Sequence, residues 1–216
     1  MTNKTKRITE SAMLIAIAIV LELLSKSIIP QMPFGGQVTL CAMLPVILIS
    51  CRHGVKWGFL SGFAYALLQM AMGADVVSAA FQPGYFGDGR MIGNAVVMCA
   101  LDYLLAYTLL GLGGALREKL PMATALPCGA ALAITARFLC HVASGYILFS
   151  GWAEWFFTQE GFPAWGAGLV SSLSPAMLGL VYSIVYNGMY MLPELLLTVA
   201  AALILGKNTK ICCKVS

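Results

Sequence analysis

Little of this chain is charged. Of its 216 residues, 10% are Asp, Glu, Lys or Arg, against the roughly 25% of an ordinary soluble domain. Hydrophobic residues make up 60% of it, and the mean hydropathy is +0.85. A water-soluble core of this length cannot cover so much apolar surface, so lipid is the solvent that fits the composition. The net charge of +4 does not point to nucleic acid, because the basic residues fall in small groups between apolar segments rather than on one stripe. CxxC spacing is missing among the seven cysteines, most of which lie in apolar runs. They read as small core residues, and no metal site is expected.

Several catalytic and energetic signatures are missing too. The chain has no G-x-x-x-x-G-K-[ST], no H-E-x-x-H and no G-x-S-x-G, which leaves it without a P-loop for ATP, a zinc-protease helix or a nucleophile elbow. No nucleophile–base pair stands out, and no cofactor is expected. No internal repeat of the kind that builds many secondary transporters is visible. The first apolar run lacks a small-residue cleavage site and is followed by more runs, so it reads as a spanning helix rather than a removable signal. The expectation is a binding subunit that borrows its energy, not an enzyme.

What is present is a series of apolar runs bounded by charges, Pro and Gly. They predict an all-α polytopic membrane protein, a single domain over 1–216. Its six spans are placed at 8–29, 38–50, 55–73, 91–116, 123–149 and 175–205. The second is short for a crossing and contains Pro45. Alternating the spans puts ten of the thirteen Lys and Arg on one side: Lys4, Lys6, Arg7, Arg52, Lys56, Arg117, Lys119, Lys207, Lys210 and Lys214. The positive-inside rule then sets both termini in the cytoplasm of a cell-membrane protein. The opposite loops carry Asp75, Asp88, Glu154 and Glu160, with Trp152, Trp155, Trp165, Phe156, Phe157 and Tyr85. Those aromatics either form an interfacial belt or close a site from outside.

Ionisable residues inside spans are costly, so each is a functional candidate. They are Glu22, Asp102, Arg137, His141 and Glu194. With a rise of about 1.5 Å per residue, Asp102 lies roughly 16 Å and His141 roughly 12 Å from the outer ends of their spans. Tyr182 and Asn187 lie roughly 10 and 18 Å in, with Glu22 at a similar level. These residues form one slab of donors and acceptors for a small polar or cationic ligand; the alternative is that they bond one another between helices. Tyr103, Tyr107, Tyr146, Phe149, Tyr186 and Tyr190 are placed to stack on a ring. Arg137, four residues before His141, shares its face and is suited to neutralising a carboxylate. Glu194 follows Pro193 near the inner end and reads as facing the inner interface or a partner.

The first span carries Ala12 and Ala16 with Ala18 nearby, a small-residue stripe that serves either a docking helix or internal packing. Gly54, Gly58 and Gly62, and then Gly111, Gly113 and Gly114, point to tight helix packing.

Five stretches in order carry a family resemblance: the Ala12/Ala16 segment, CRHG at 51–54 with KWGFLSG at 56–62, LDYLLAY at 101–107, RFLCHVASG at 137–145 and YSIVYNG at 182–188. The chain resembles the thiamine-binding S components of energy-coupling factor (ECF) vitamin transporters. The resemblance implies a six-helix fold, a vitamin site near the outer face, and docking through Ala12 and Ala16. The implied partners are a transmembrane coupling subunit and two ATPases. By the same resemblance His141, Tyr182 and Asn187 match ligand contacts. Asp102 stands where the family has a glutamate, one methylene longer, and Tyr103 matches the aromatic after that acid. Phe149 and Tyr65 stand at tryptophan positions, and Phe34 lies near another. The insertion at 154–174 is longer than usual. Thiamine, a thiazolium cation joined to an aminopyrimidine, suits this inventory. The alternatives are an S component for another vitamin or a thiamine precursor, a proton-coupled transporter using Asp102 or Glu22, and a membrane enzyme pairing His141 with Asp102.

Overall fold

The computed structural model describes residues 3–32, 36–86 and 91–208, which are helical with short connections and hold no β-strand. Helix α1 (Asn3–Ile28) runs without Pro or Gly and stops just before Ile29-Pro30, where the proline disfavours helical backbone in the residue ahead of it. Its faces are the reverse of a soluble helix. Ser11, Ala18, Glu22 and Ser25 are buried, while Met13, Ile17, Val20, Leu24 and Ile28 are exposed. In lipid the apolar side needs no cover and the polar side does.

Helix α2 (Leu44–His53) is short, about 15 Å, and its residues Leu44 to Cys51 are all buried. The expected second span at 38–50 is therefore displaced. Residues 38–43 are not helical, and Pro45 sits in the first turn of α2, where its missing N–H costs nothing. Gly54, with φ 93°, turns α2 into α3 (Val55–Met72), in a backbone region that other residues rarely adopt. A short helix, α4 (Ala74–Ala79), follows.

The helical rod Ile92–Gly114 is long and apolar enough to cross a membrane, and its winding changes along its length. It opens as α5 (Met91–Met98), widens into a π-helical stretch (Cys99–Leu105), and passes through one α turn, α6 (Ala106–Thr108). It then tightens into a 3-10 stretch (Leu109–Gly114). Helix α7 (Met122–Phe149) and helix α10 (Pro175–Gly206) pack together more extensively than any other pair. Lys4–Ile28, Met122–Phe157 and Pro175–Gly206 are the other stretches with the length and apolar character to span. Residues 150–174, expected as a polar connection, instead hold α8 (Ala153–Phe157) and α9 (Trp165–Ser172).

The end of the bundle where α1 begins and α10 finishes is locked by glycine. Ser50 Oγ donates to the carbonyl of Gly111 and accepts from Gly114 N at 3.0 Å, and Cys51 Sγ lies 3.1 Å from Gly113 O. A Cβ on Gly129 would collide with Gly113 O. This close approach lets α7 lie on the 3-10 stretch. Nearby, Glu10 pairs with Arg52 at 3.1 Å and lies 3.2 Å from His53 Nε2, fastening α1 to the α2–α3 corner.

Candidate functional site: a polar cavity between α1, α3, α7 and α10

The opposite end of the bundle is hollow. A cavity of about 530 Å³ lies there, and Asp102, Tyr103, His141, Phe149, Tyr182 and Asn187 all line it. That volume is within the range of small-molecule sites, roughly 300–1,000 Å³. One of the expected residues stands elsewhere. Tyr65 is fully buried behind the wall, edge-on to Tyr107 with ring centroids 5.4 Å apart. Its hydroxyl accepts from Gln69 Nε2 at 2.6 Å, so its ring supports Tyr107 rather than facing a ligand. Phe34 lies outside the described residues. Tyr146, considered for stacking, is 40% exposed and is not part of the cavity lining.

The polar centre comes from the π-helical stretch and α7. Asp102 is held through both oxygens: His141 Nδ1 lies 2.8 Å from Oδ1, and Ser144 Oγ donates to Oδ2 at 2.5 Å. His141 and Ser144 are three residues apart, so they share one face of α7. A π turn is wider than an α turn and is common where side chains must be re-aimed at a functional site. Asn187 on α10 lines the cavity, and its neighbours fix the orientation of its amide. Its Nδ2 donates to His141 O at 3.2 Å and Ser183 O at 2.8 Å, and its Oδ1 accepts from the Tyr190 hydroxyl at 2.6 Å. Gly145 makes this approach possible, since a Cβ there would collide with Ser183 Oγ.

The aromatic wall follows from helical spacing. Tyr182, Tyr186 and Tyr190 recur every four residues on one face of α10, with centroid separations of 5.8 and 6.2 Å. Phe156, from α8, backs Tyr182 at 5.2 Å and Tyr186 at 5.9 Å. Phe149 is covered by Phe86 at 5.3 Å and Tyr85 at 6.0 Å. Burial, with Asp102 and Asp75 nearby, pushes the Tyr85 phenol up to about 12, so it stays neutral at physiological pH.

Deeper in, Arg137 stacks over Tyr107 with its guanidinium carbon 4.3 Å from the ring centroid. It donates to the Tyr107 hydroxyl at 3.0 Å and to Met43 Sδ at 2.8 Å. Its terminal nitrogens are thus engaged by an aromatic and a thioether, while its charge acts on the Glu22 and Glu194 carboxylates without a direct hydrogen bond. Glu194 departs from expectation. It is 1% exposed and accepts from both the backbone N–H of Thr39, at 2.6 Å, and the Thr39 hydroxyl. It straps the α1–α2 connection to α10 instead of facing a partner. Gln69, Gln37 and Ser144 also line the cavity and went unremarked in sequence. An uncharged polar residue inside an apolar span was the available signal for Gln69 and Ser144.

The carboxylates of Glu22, Asp75 and Asp102 line the cavity against the cations of Lys26 and Arg137. They stand beside tyrosine and phenylalanine faces, a setting suited to an organic cation.

Long apolar helices around a polar, aromatic-walled cavity define a helical membrane protein. The chain belongs to the thiamine transporter protein family, whose pattern matches residues 8–84 and 87–213. The thiamine transporter ThiT of Bacillus subtilis (strain 168) is 26% identical over 201 residues, covering 88% of this chain and 85% of that protein. A solved structure of ThiT from Listeria monocytogenes matches with a TM-score of 0.64 over 98% of this chain and 100% of that one. At 18% identity it speaks for the fold alone.

Proposed function

We propose that this chain is the thiamine-binding S component of an ECF-type importer. It works with a transmembrane coupling subunit and two ATPase subunits, and it captures thiamine in the cavity around Asp102. The observation that carries the reading is the doubly anchored Asp102 carboxylate on an aromatic-walled cavity, in a chain of the thiamine transporter family. A fixed negative charge in a low-dielectric pocket favours a permanent cation such as thiazolium, and the tyrosine faces add to it. The His141 ring and the Tyr182 hydroxyl supply polar contacts for the pyrimidine. Ligand contacts are assigned to Asp102, Tyr103, His141, Phe149, Tyr182 and Asn187, with Tyr65 as support.

The same reading makes the chain one membrane domain of six spans, with α2 and its extended lead-in (38–53) as the second and α3 as the third. Both termini are cytoplasmic, a placement supported by Lys4, Lys6, Arg7, Arg52, Lys56, Arg117, Lys119 and Lys207 at one end of the bundle. The cavity then opens from the outer half of the membrane. Ala12 and Ala16 are exposed on α1, which supports a docking stripe for the coupling subunit.

Titrating thiamine into purified protein while following tryptophan fluorescence tests the binding claim. Saturable quenching is expected, and no response at micromolar thiamine sinks it; competition by thiamine precursors tests the choice of vitamin. For docking, Ala16→Trp is expected to keep thiamine binding and abolish uptake with the ATPase partners. Equal loss of both would make the stripe internal packing.

A further inference from the structure

Asp102 draws both of its donors from a single turn of α7, and one of them is a serine that forgoes the local bond to its own helix, as Ser50 and Ser183 also do. Ser11, Ser25, Ser27 and Ser172 each donate to a carbonyl three or four residues back in their own helix, the ordinary local bond of a helical serine. Ser144, 1% exposed on the cavity wall, donates across to Asp102 Oδ2 at 2.5 Å. This bond fixes the plane of the carboxylate, because the other oxygen already meets His141 Nδ1 at 2.8 Å. The consequence lies on the imidazole. When a carboxylate accepts from Nδ1–H, the neutral ring carries its lone pair on Nε2. Nε2 is the one polar atom of this set that is buried with no hydrogen-bond partner among the described residues, on a ring that lines the cavity.

We infer that Ser144 is a positioning residue for ligand recognition: by pinning Asp102 Oδ2 it holds Oδ1 on His141 Nδ1 and so keeps His141 Nε2 as an acceptor for a ligand N–H or O–H donor. Asp102 then serves the ligand through its charge and through the tautomer it imposes, while His141 makes the directional contact. The inference rests on the thiamine reading for the identity of the ligand, whose amino group is a donor of the required kind.

The test is a double-mutant cycle on the full-length purified protein, with thiamine as the probe. Ser144→Ala is expected to weaken thiamine binding roughly tenfold, the scale of a hydrogen bond to a charged group, with an unchanged melting temperature. In the Asp102→Asn background the same substitution is expected to cost threefold or less, because its route of action is already weakened. An equal loss in both backgrounds overturns the inference. The second readout needs no ligand. The chain has two histidines, so nitrogen NMR of labelled histidine in wild type and a His53→Asn control isolates His141. Ser144→Ala is expected to shift its signals from one tautomer toward an exchange average; unchanged signals overturn the inference. If wild type fails to bind thiamine, the transport reading falls, while the histidine signals still decide the role of Ser144.

Discussion

The two ends of this bundle are built on opposite rules. Where α1 begins and α10 finishes, glycines let backbones touch: Gly129 rests on Gly113, and Gly114 rests on Ser50. At the other end large side chains hold the helices apart around a cavity of about 530 Å³, and hydrogen bonds among Asp102, His141 and Ser144 replace close packing. The closed end sacrifices side-chain volume for rigidity, as membrane helices do where small residues meet. The open end tolerates unpaired polar atoms that would be costly in a filled core. A binding protein in lipid needs both, because a site can stay open only if the frame beneath it does not relax into it.

The largest effect that would break this comparison is expected at the closed end. Gly129→Leu drives a side chain into the Gly113 backbone and should destabilise the protein by about 3 kcal/mol or more. Thermal melting in detergent should show it, and a wild-type melting curve would mean the glycine contact is slack. At the open end the expected balance is reversed. Asp102→Asn should weaken thiamine binding roughly ten- to a hundredfold while leaving melting nearly unchanged, as isothermal titration beside a melting scan would reveal. Comparable losses of binding and stability would merge the two ends into one packing unit. Phe149→Leu keeps most of the volume but loses the ring under Phe86 and Tyr85, so about a fivefold weaker thiamine affinity is expected, near 1 kcal/mol. Unaltered affinity would remove Phe149 from the site. The smallest change is expected from Glu10→Gln, since a partly exposed ion pair with Arg52 contributes about 1 kcal/mol or less. A drop beyond that in the melting experiment would show that α1 is clamped mainly at its first turns.

The contrast between the ends was partly legible in the sequence. Gly58, Gly111 and Gly113 declare close packing by composition, although nothing in their spacing says that Gly113 meets Gly129. Asp102, His141, Tyr182 and Asn187 stand out because polar groups are rare in apolar spans, and helical rise alone puts them at similar depth. Ser144 gives only the weak signal of a polar residue in an apolar span, since a serine in a helix ordinarily bonds its own backbone and its partner lies 42 positions away. Tyr65 is the converse case. It resembles a wall residue by family position, yet it sits behind Tyr107, because the rotation of α3 is set by Gly58 and Gly62 packing against 107–111.

The single tryptophan-rich stretch after α7 shows the same limit. Read linearly, 150–174 looks like a connection, because its apolar residues are interrupted by Gly, Pro and Glu. In the fold Phe156 and Phe157 reach back to the tyrosine ladder and to Phe162 and Trp165, and two short helices form on those contacts. Short helices draw their stability from tertiary packing rather than from local propensity, so no window of sequence reveals them.

Composition by itself determined that this protein lives in lipid, that its long helices are apolar, and that a handful of ionisable residues inside them needed a reason to be there. Those are local properties, carried by transfer free energy residue by residue. Only the tertiary structure decided that the partners of Asp102 are His141 and Ser144, that Glu194 ties down Thr39, and that one end closes while the other stays hollow. Each of these depends on the rotation of one helix against another, and a rotation is set by which small residues allow contact across the interface, not by the order of residues along either helix.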